Sequence, residues 1–309
     1  MNILITGSSG FIGKNLMKFL ENEGHNIFRL VRKASEVNNK NIFWNIEEEY
    51  IDKDKLSNID AVVHLAGENI SSGRWTKEKK KKILDSRVYG TRLISKTLAD
   101  LEKKPKVFIS ASAIGYYGDR GNESLDENST KGNSFLSDVC YQWEKETEIA
   151  KQNGIRTINL RIGIVLSKDG GALEKMLLPF KMGLGGILGD GKQYMSWISI
   201  DDLINIINFC INKNNINGVL NAVSPNPVTN YDFTKILGKV LNRPAIFPLP
   251  KFVGKIIFGK MADELLFSST KVFPKKLEEN NYKFIHYSLK ETLENIILNK
   301  NLEKQSIHA

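Results

Sequence analysis

The sequence predicts an α/β fold built on a doubly wound, mainly parallel sheet of the Rossmann type, with a smaller α/β region on its C-terminal, substrate side. Three observations predict it. Short apolar runs alternate with longer helical stretches over the first half of the chain, which is typical of βαβ units. Several of these runs are apolar throughout, as strands covered on both faces should be. A glycine-rich turn joins the first run to the first helical stretch.

Six strands and three helices follow from this pattern. The strands are predicted near Asn2–Thr6, Asn26–Val31, Asn41–Trp44, Ala61–Leu65, Lys106–Ser110 and Thr157–Arg161. The helices are predicted near Phe11–Glu23, Thr76–Leu101 and Phe135–Asn153. After residue 161 the alternation stops, and repeated glycines between residues 170 and 191 indicate a loop-rich segment. A helix near Asp201–Lys213 and a strand near Gly218–Val223 come next.

These elements predict a dinucleotide-binding domain over residues 1–223, with substrate-side loops from residue 168. In doubly wound sheets the ligand lies beyond the carboxyl ends of the strands, and the glycine-rich segment follows the sixth predicted strand. Residues 224–298 are entered through several prolines and predict a mostly helical C-terminal domain. Residues 299–309 are polar and predict a frayed tail.

Composition excludes several function classes. The 309 residues are 41% apolar and 26% charged, and they contain no apolar run long enough to span a bilayer. The chain starts almost directly on an apolar strand, so we expect no leader peptide. Cys140 and Cys210 cannot form a disulfide framework, and no Cys/His cluster has metal-ligand spacing. We therefore expect a cytoplasmic monomer or homodimer with no bound metal and no membrane partner.

The net charge of +9 raises the question of a nucleic-acid partner. Its densest source is the lysine run at residues 77–82. No aromatic stacking residues interleave with this run, and no nucleic-acid-binding motif accompanies it. Such runs are mostly solvated helix faces, so we expect no nucleic-acid partner.

The glycine-rich turn has the spacing of a dinucleotide site. Thr6-Gly7-Ser8-Ser9-Gly10-Phe11-Ile12-Gly13 ends the first strand and opens an amphipathic helix. Gly7 allows the tight turn, Gly10 lets the backbone approach a pyrophosphate, and Gly13 allows close helix–strand packing. The free N–H groups and the positive end of the helix favour the pyrophosphate. We expect Ser9, Phe11 and Ile12 to line the same site.

The end of the second strand indicates which dinucleotide is bound. An acidic residue there would hold the ribose 2′-hydroxyl of NAD, whereas a basic residue suits the 2′-phosphate of NADP. This strand runs into Arg32 and Lys33, with no carboxylate before Glu36. A forked guanidinium binds phosphate well. The sequence therefore predicts NADP(H) as the cofactor.

The motifs together resemble the extended branch of the short-chain dehydrogenase/reductase superfamily. More narrowly, the chain resembles the uncharacterised epimerase family of NAD-dependent epimerase/dehydratase-like proteins, which carries a C-terminal domain of unknown function. The stretches that carry the likeness are TGSSGFIG at 6–13, VVHLAGENI at 62–70, SRVYGTRLI at 86–94, ISASAIGYYGD at 109–119, FLSDVCYQWEKE at 135–146, NLRIGIVLSKDGGAL at 159–173, GLGGILGDGKQYMSWISIDDL at 183–203 and GKMADELLFSSTKVFPKKLEENNYKF at 259–284.

The resemblance implies further cofactor contacts by position. Leu65, Ala66, Gly67 and Glu68 would lie beneath the adenosine and pyrophosphate half. Trp44 would approach the adenine. The remaining implied contacts flank the nicotinamide ribose, at Ser110 and Ala111, and the nicotinamide itself, at Ile162 to Val165.

The catalytic residues are ambiguous. In the superfamily a Ser or Thr polarises the substrate oxygen, and Ser112 matches that position. A Tyr and a Lys four residues later handle the proton, since the Lys cation lowers the pKa of the Tyr. One register places Cys140 and Glu144 in these positions, and the other places Tyr141 and Lys145 there. Both pairs cannot face the nicotinamide, because one residue rotates a helical side chain by about 100°.

The Cys140 register is favoured by the subgroup pattern C-x-x-W-E, although Cys140 is then equally well interpreted as a small packed residue. Tyr116 and Tyr117, in the loop after Ser112, are the nearest spare proton donors. His64 is interpreted as a core residue, and Arg87 occupies a position where relatives often have Asn. The sequence thus predicts an NADP(H)-dependent oxidoreductase or epimerase acting on a small nucleotide-like or sugar-like molecule. The alternative is a regulatory or sensor protein that binds NADP(H) with little turnover.

Overall fold

The structure, a computed structural model, describes residues 1–298, so the predicted tail at 299–309 lies outside the described residues. The strands within this range are β1 Asn2–Thr6, β2 Asn26–Val31, β3 Asn41–Asn45, β4 Tyr50–Ile51, β5 Ala61–His64, β6 Val107–Ala113, β7 Ser124–Leu125, β8 Arg156–Ile162, β9 Ile164–Ser167, β10 Tyr194–Met195, β11 Trp197–Ser199, β12 Gly218–Ala222, β13 Val228–Thr229 and β14 Lys271–Val272. The helices are α1 Phe11–Asn22, α2 Lys77–Ala99, α3 Phe135–Lys145, α4 Glu148–Gln152, α5 Gly171–Lys181, α6 Ile200–Asn212, α7 Asn230–Val240, α8 Lys251–Phe258, α9 Lys260–Leu265, α10 Lys275–Glu279 and α11 Leu289–Leu298.

The central sheet has eight strands in the order β12-β8-β6-β5-β1-β2-β3-β4. Its pairs are parallel, except that β3 and β4 run antiparallel. The chain winds outward from β1 through β2 and β3, and then restarts on the other side of β1 with β5. The order therefore reverses between β1 and β5. This is the switch point at which doubly wound sheets bind ligands, beyond the carboxyl ends of the strands.

Apolar side chains fill both faces of the sheet. On one face α1 and α6 pack over residues such as Ile5, Ile109 and Leu160. On the other face α2 and α4 cover Leu4, Phe108 and their neighbours. Both faces are buried, which explains why the inner strands are apolar throughout and confirms the predicted fold class.

The helix predicted over Phe135–Asn153 is wrong in one respect, because it is broken into α3 and α4. The break falls at Glu146 and Thr147. The Thr147 hydroxyl donates to the Glu144 carbonyl oxygen at 2.7 Å and competes there with the backbone. The side chain of Asn159 on β8 donates to the same hydroxyl at 3.0 Å. These two contacts explain why the helix does not continue smoothly through this point.

The segment after β8 holds more regular structure than its glycines predict. Besides loops it contains β9, which pairs with β11, and the helix α5. A separate apolar core joins α5 to α7 and α11, with Trp197 fully buried at its centre. The region after residue 223 also contributes β13 and β14, which pair with β10 and β7. Residues from both predicted domains therefore share one core on the substrate side.

Candidate active site

The glycine-rich turn between β1 and α1 is held by close backbone contacts. Gly7 has φ +67°, and a Cβ there would lie 2.8 Å from the Ala66 backbone nitrogen. A Cβ on Gly13 would lie 2.3 Å from the Gly7 carbonyl oxygen. The first turn of α1 has no acidic residue, and no side chain caps it. Its N–H groups are thus left for an anion, and the turn fits a dinucleotide pyrophosphate as the sequence predicts. Ser9 and Gly10 are exposed there, while Phe11 and Ile12 are half-buried.

The loop after β5 forms the facing wall of this turn. The Thr6 hydroxyl accepts hydrogen bonds from the backbone nitrogens of Leu65 and Ala66, each at 3.2 Å. It also lies 2.6 Å from His64 Nδ1. Burial, together with the positive charge of Arg87, lowers the pKa of His64 to about 3. His64 is therefore a neutral core residue that fixes the wall, which confirms the interpretation from sequence.

Gly67 and Glu68 continue this wall toward solvent. Gly67 is exposed, and the Glu68 carboxylate receives the Lys79 ammonium at 2.5 Å. A hydrogen bond from Lys79 holds the pKa of Glu68 below its usual value. Glu68 thus carries its charge at the edge of the predicted cofactor site.

The two cations after β2 differ in their surroundings. Lys33 lies 3.6 Å from Glu36, and both side chains are exposed. Arg32 is exposed and has neither a hydrogen bond nor an ion pair within the part of the chain that the structure describes. Its guanidinium is available for a ligand phosphate at the end of β2, where the sequence predicts the 2′-phosphate.

Two of the predicted cofactor contacts are corrected by their burial. Trp44 is only 3% exposed, and its ring packs edge-on against His64 in the core. Ser110 is fully buried, and its hydroxyl donates to the carbonyl oxygen of Ala111. Neither side chain has the surface that a contact with adenine or with the nicotinamide ribose requires.

The other residues predicted near the nicotinamide lie where the sheet ends. Ala111 is buried on β6, and Ile162 and Val165 are half-buried against the main core. The loop before α5 packs against Phe11, since a Cβ on Gly170 would lie 2.3 Å from the Phe11 ring. The substrate-side segment from residue 168 therefore borders the head of α1.

A buried network connects the carboxyl ends of β6, β8 and β12. Ser112, Arg161 and Asn221 stand side by side in the strand register. Above them Glu144, on α3, accepts the Ser112 hydroxyl at 2.6 Å. Arg161 donates to both oxygens of Glu144, each at 2.8 Å. The Arg161 and Glu144 side chains are both buried, so this is a buried bidentate ion pair.

The ion pair extends to two adjacent tyrosines. Arg161 Nη1 donates to the Tyr117 hydroxyl at 3.0 Å, and that hydroxyl lies 2.8 Å from Asn221 Oδ1. Burial raises the pKa of Tyr117 to about 12, so this phenol stays neutral. Burial alone would lower the pKa of Arg161, but the hydrogen bonds and charge of Glu144 raise it. The guanidinium of Arg161 stacks on the ring of Tyr116 at 3.3 Å from the centroid.

The structure brings together the four predicted catalytic residues, Ser112, Tyr116, Cys140 and Glu144, around Arg161. Tyr116 is half-buried, and its hydroxyl has no hydrogen-bond partner among residues 1–298. Sequence reasoning missed Arg161. The available signal was a cation near the carboxyl end of a predicted strand, at the position that pairs with Ser112 on β6.

The helix α3 shows which of the two registers faces this cluster. Cys140 is 2% exposed and Glu144 is buried, whereas Tyr141 is 48% exposed and Lys145 lies on the surface. Burial raises the pKa of Cys140 to about 11, and the charge of Glu144 adds to the rise. Cys140 and Glu144 therefore form the inner pair, and the Cys140 thiol is protonated at neutral pH.

Other classes of site are not evident among the described residues. No helix in residues 1–298 is long and apolar enough to cross a membrane. No group of three or more His, Cys, Asp or Glu side chains within that range is placed to hold a metal ion. Cys140 and Cys210 are both buried as free thiols.

Comparison with known proteins places these features in a family. Residues 3–222 match the NAD dependent epimerase/dehydratase family, and residues 249–296 match a domain of unknown function, DUF1731. The epimerase family protein Mb2239 of Mycobacterium bovis is 40% identical over 94% of this chain and 96% of its own. The crystal structure of human epimerase family protein SDR39U1 with NADPH has a TM-score of 0.87 at 33% identity, over 97% of this chain and all of that one.

A second solved structure is similar at the same level of identity. The nucleoside-diphosphate sugar epimerase from Corynebacterium glutamicum has a TM-score of 0.81 and 33% identity. The match covers 98% of this chain and 59% of that chain.

Proposed function

Because this chain belongs to the NAD dependent epimerase/dehydratase family, we propose that it is an NADP(H)-dependent oxidoreductase or epimerase acting on a small substrate with a hydroxyl or carbonyl group. One observation carries the choice of cofactor. Among residues 1–298, Arg32 at the end of β2 has no hydrogen-bond or ion-pair partner, and the first turn of α1 beside it holds no acidic residue. The human relative crystallised with NADPH supports the same choice.

The residues fit NADP(H) in two separable ways. At Gly7 and Gly13 a Cβ would collide with neighbouring backbone, so glycine keeps the turn close against the positive end of α1. Arg32 adds a planar donor suited to a phosphate monoester. A charge-assisted phosphate contact of this kind contributes about 1.5–3 kcal/mol, which is roughly a ten- to hundredfold difference in affinity.

Calorimetric titration of NADPH and NADH tests the cofactor assignment. We expect the wild type to bind NADPH at least about tenfold more tightly than NADH, and Arg32→Ala to lose most of this preference. Lys18→Ala is the matched control, because Lys18 is an exposed cation on α1 away from its N-terminus. Equal affinities for the two dinucleotides in the wild type would refute the assignment.

On the substrate side, we assign separate roles to Ser112 and Tyr116. Glu144, paired with Arg161, accepts the hydrogen bond that the Ser112 hydroxyl donates, so the Ser112 oxygen presents its lone pairs to a bound hydroxyl. Glu144 is in this account a positioning residue. The unpartnered hydroxyl of Tyr116 is the group that gives or takes the proton at the substrate oxygen. When bound, the dinucleotide supplies or accepts the hydride that balances this proton.

The similarity to a nucleoside-diphosphate sugar epimerase suggests substrates with the size and polarity of a nucleoside-diphosphate sugar. Turnover is tested by following NADPH oxidation with a panel of keto-sugar nucleotides and smaller carbonyl compounds. For any compound that is reduced, Tyr116→Phe should lower the rate at least about tenfold, or roughly 1.4 kcal/mol of transition-state stabilisation. An unchanged rate in Tyr116→Phe would remove Tyr116 from the mechanism.

A second candidate function is a sensor that binds NADP(H) with little turnover. It is favoured by the inner face of α3, where the protonated thiol of Cys140 and the ion-paired Glu144 replace the usual Tyr and Lys. Tight NADPH binding without oxidation by any compound of the panel, and without exchange of deuterium from the labelled cofactor, would favour the sensor.

A further inference from the structure

Arg87, at the end of the third turn of α2, lies beside the candidate active site, between an aromatic ring and a backbone loop. Its guanidinium carbon is 5.0 Å from the centroid of the Trp143 ring. On the other side, a Cβ on Gly67 would lie 3.1 Å from the same carbon. The guanidinium is therefore held between an aromatic face and the loop after β5. It lies within electrostatic range of Cys140.

Within the described part of the chain, one of the three guanidinium nitrogens of Arg87 donates hydrogen bonds. Nη1 donates to the carbonyl oxygens of Glu68 at 3.0 Å and of Ile83 at 3.1 Å. Nε and Nη2 have no acceptor among residues 1–298, and neither is a fully enclosed atom. The bonded nitrogen fixes the plane of the group, and the other two are left to donate to a ligand.

The charges around Arg87 do not balance. Within residues 1–298 no carboxylate forms an ion pair with it, since the carboxylate of Glu68 is held by Lys79. Lys82 also acts on Glu68. Three cations, Lys79, Lys82 and Arg87, therefore surround a single carboxylate. Burial of the guanidinium lowers the pKa of Arg87, because removing a cation from water costs free energy when no carboxylate among residues 1–298 forms an ion pair with it.

We propose that the free edge of Arg87 binds an oxyanion of the substrate, a carboxylate or a phosphate group. This inference rests on the proposed function, because it assumes that a substrate occupies the space between Gly67 and Ser112. A fork of two parallel N–H donors matches the two oxygens of such a group. The stacked ring of Trp143 and the two carbonyl bonds hold the fork in one orientation before the anion arrives.

The phosphate groups of the cofactor are assigned to other binding sites. The pyrophosphate is assigned to the N-terminus of α1, and the 2′-phosphate to Arg32 at the end of β2. Arg87 stands on the other side of the β5 loop, next to Trp143 and Cys140 on α3. Its anion therefore belongs to the substrate side of the site.

The experiment titrates inorganic phosphate and acetate, at constant ionic strength, into protein with and without saturating NADPH. Quenching of tryptophan fluorescence reports binding, because Trp143 stacks on Arg87. We expect saturable binding of at least one anion to the wild type. Arg87→Gln should weaken it at least about tenfold, and Arg87→Lys should weaken it partly, because Lys keeps the charge and loses the fork. Lys96→Gln removes an exposed cation from the same helix and should leave binding unchanged.

NADPH affinity is measured in the same variants, so the two proposals fail separately. We expect Arg87→Gln to keep the NADPH affinity within about twofold of the wild type. Equal anion binding in the wild type and in Arg87→Gln would overturn the Arg87 site and leave the cofactor proposal standing. Phosphate that competes with NADPH, together with a tenfold loss of NADPH affinity in Arg87→Gln, would move Arg87 to the cofactor and also overturn this inference. Absence of NADPH binding in the wild type would instead refute the proposed function.

Discussion

The two halves of the candidate site are built on different principles. The cofactor half is a run of neighbouring residues, Gly7 to Gly13, whose backbone shape and free N–H groups do the binding. The substrate half is a network of side chains from β6, β8, β12 and α3, in which Ser112, Glu144 and Arg161 are far apart in the chain. A backbone site depends on the absence of side chains, and a network depends on every partner being present. The two should therefore respond differently to substitution.

The largest effect is expected in the network, from Glu144→Gln. This change leaves the Arg161 cation buried opposite a neutral amide, and removing one partner of a buried pair costs about 3–5 kcal/mol. Urea unfolding of the two proteins measures it. The control is Glu146→Gln, which breaks the more exposed pair with Arg92 and should cost about 0–1 kcal/mol. Similar losses in the two variants would show that burial of the pair is unimportant.

The difference between a local backbone turn and a network of distant side chains also explains which features could be predicted from the sequence. The fold class and the dinucleotide turn are local patterns, and both could be predicted from spacing alone. The orientation of α3 could also be chosen, because the pattern C-x-x-W-E favours the register in which Cys140 and Glu144 form the inner pair. Arg161 was missed, because its role depends on how β6, β8 and β12 align in the sheet, and that alignment cannot be seen in the sequence. Trp44 and Ser110 were assigned to ligand contacts by analogy, although each is buried in this chain.

The next largest effect is expected in the cofactor half, from Gly13→Ala. The added Cβ would lie 2.3 Å from the Gly7 carbonyl oxygen, so the turn must move away from α1. We expect NADPH affinity to fall at least about a hundredfold, or roughly 2.7 kcal/mol. Calorimetry measures this loss. Gly90→Ala is the matched control, since the nearest atom to its Cβ would be 3.4 Å away. Unchanged NADPH affinity in Gly13→Ala would contradict a backbone-built site.

A third prediction concerns His64, which fixes the wall between the two halves. Its pKa is about 3 in the folded protein, lowered by burial and by Arg87, and its ordinary value is 6.5. Between these values the unfolded chain binds a proton that the folded chain does not, so stability falls as the pH drops below 6.5. At pH 5 the loss attributable to His64 is about 2 kcal/mol relative to neutral pH.

Urea unfolding at pH 7 and pH 5 measures this loss. His64→Gln should reduce the difference between the two pH values by about the same 2 kcal/mol. His25→Gln removes a half-buried histidine whose pKa is also lowered, by burial and by the N-terminal charge, but less than that of His64, so it should reduce the difference by less. The prediction is wrong if NMR titration shows that the imidazole of His64 protonates near its ordinary pKa in the folded protein.

The smallest effects distinguish the two faces of α3. Cys140 is packed beside Ser112 and Gly115 at the end of β6, whereas Tyr141 points outward and is 48% exposed. Cys140→Ala removes a buried sulfur next to the substrate half, and we expect NADPH affinity to fall a few-fold, or by less than about 1 kcal/mol. Tyr141→Phe should leave both NADPH affinity and any turnover within error of the wild type, because its hydroxyl lies in solvent. The measurement is NADPH binding followed by cofactor fluorescence, together with turnover where the substrate panel reveals any. A tenfold loss of turnover in Tyr141→Phe with Cys140→Ala silent would restore a Tyr141 and Lys145 pair, and would require α3 to turn by about 100° from the orientation described.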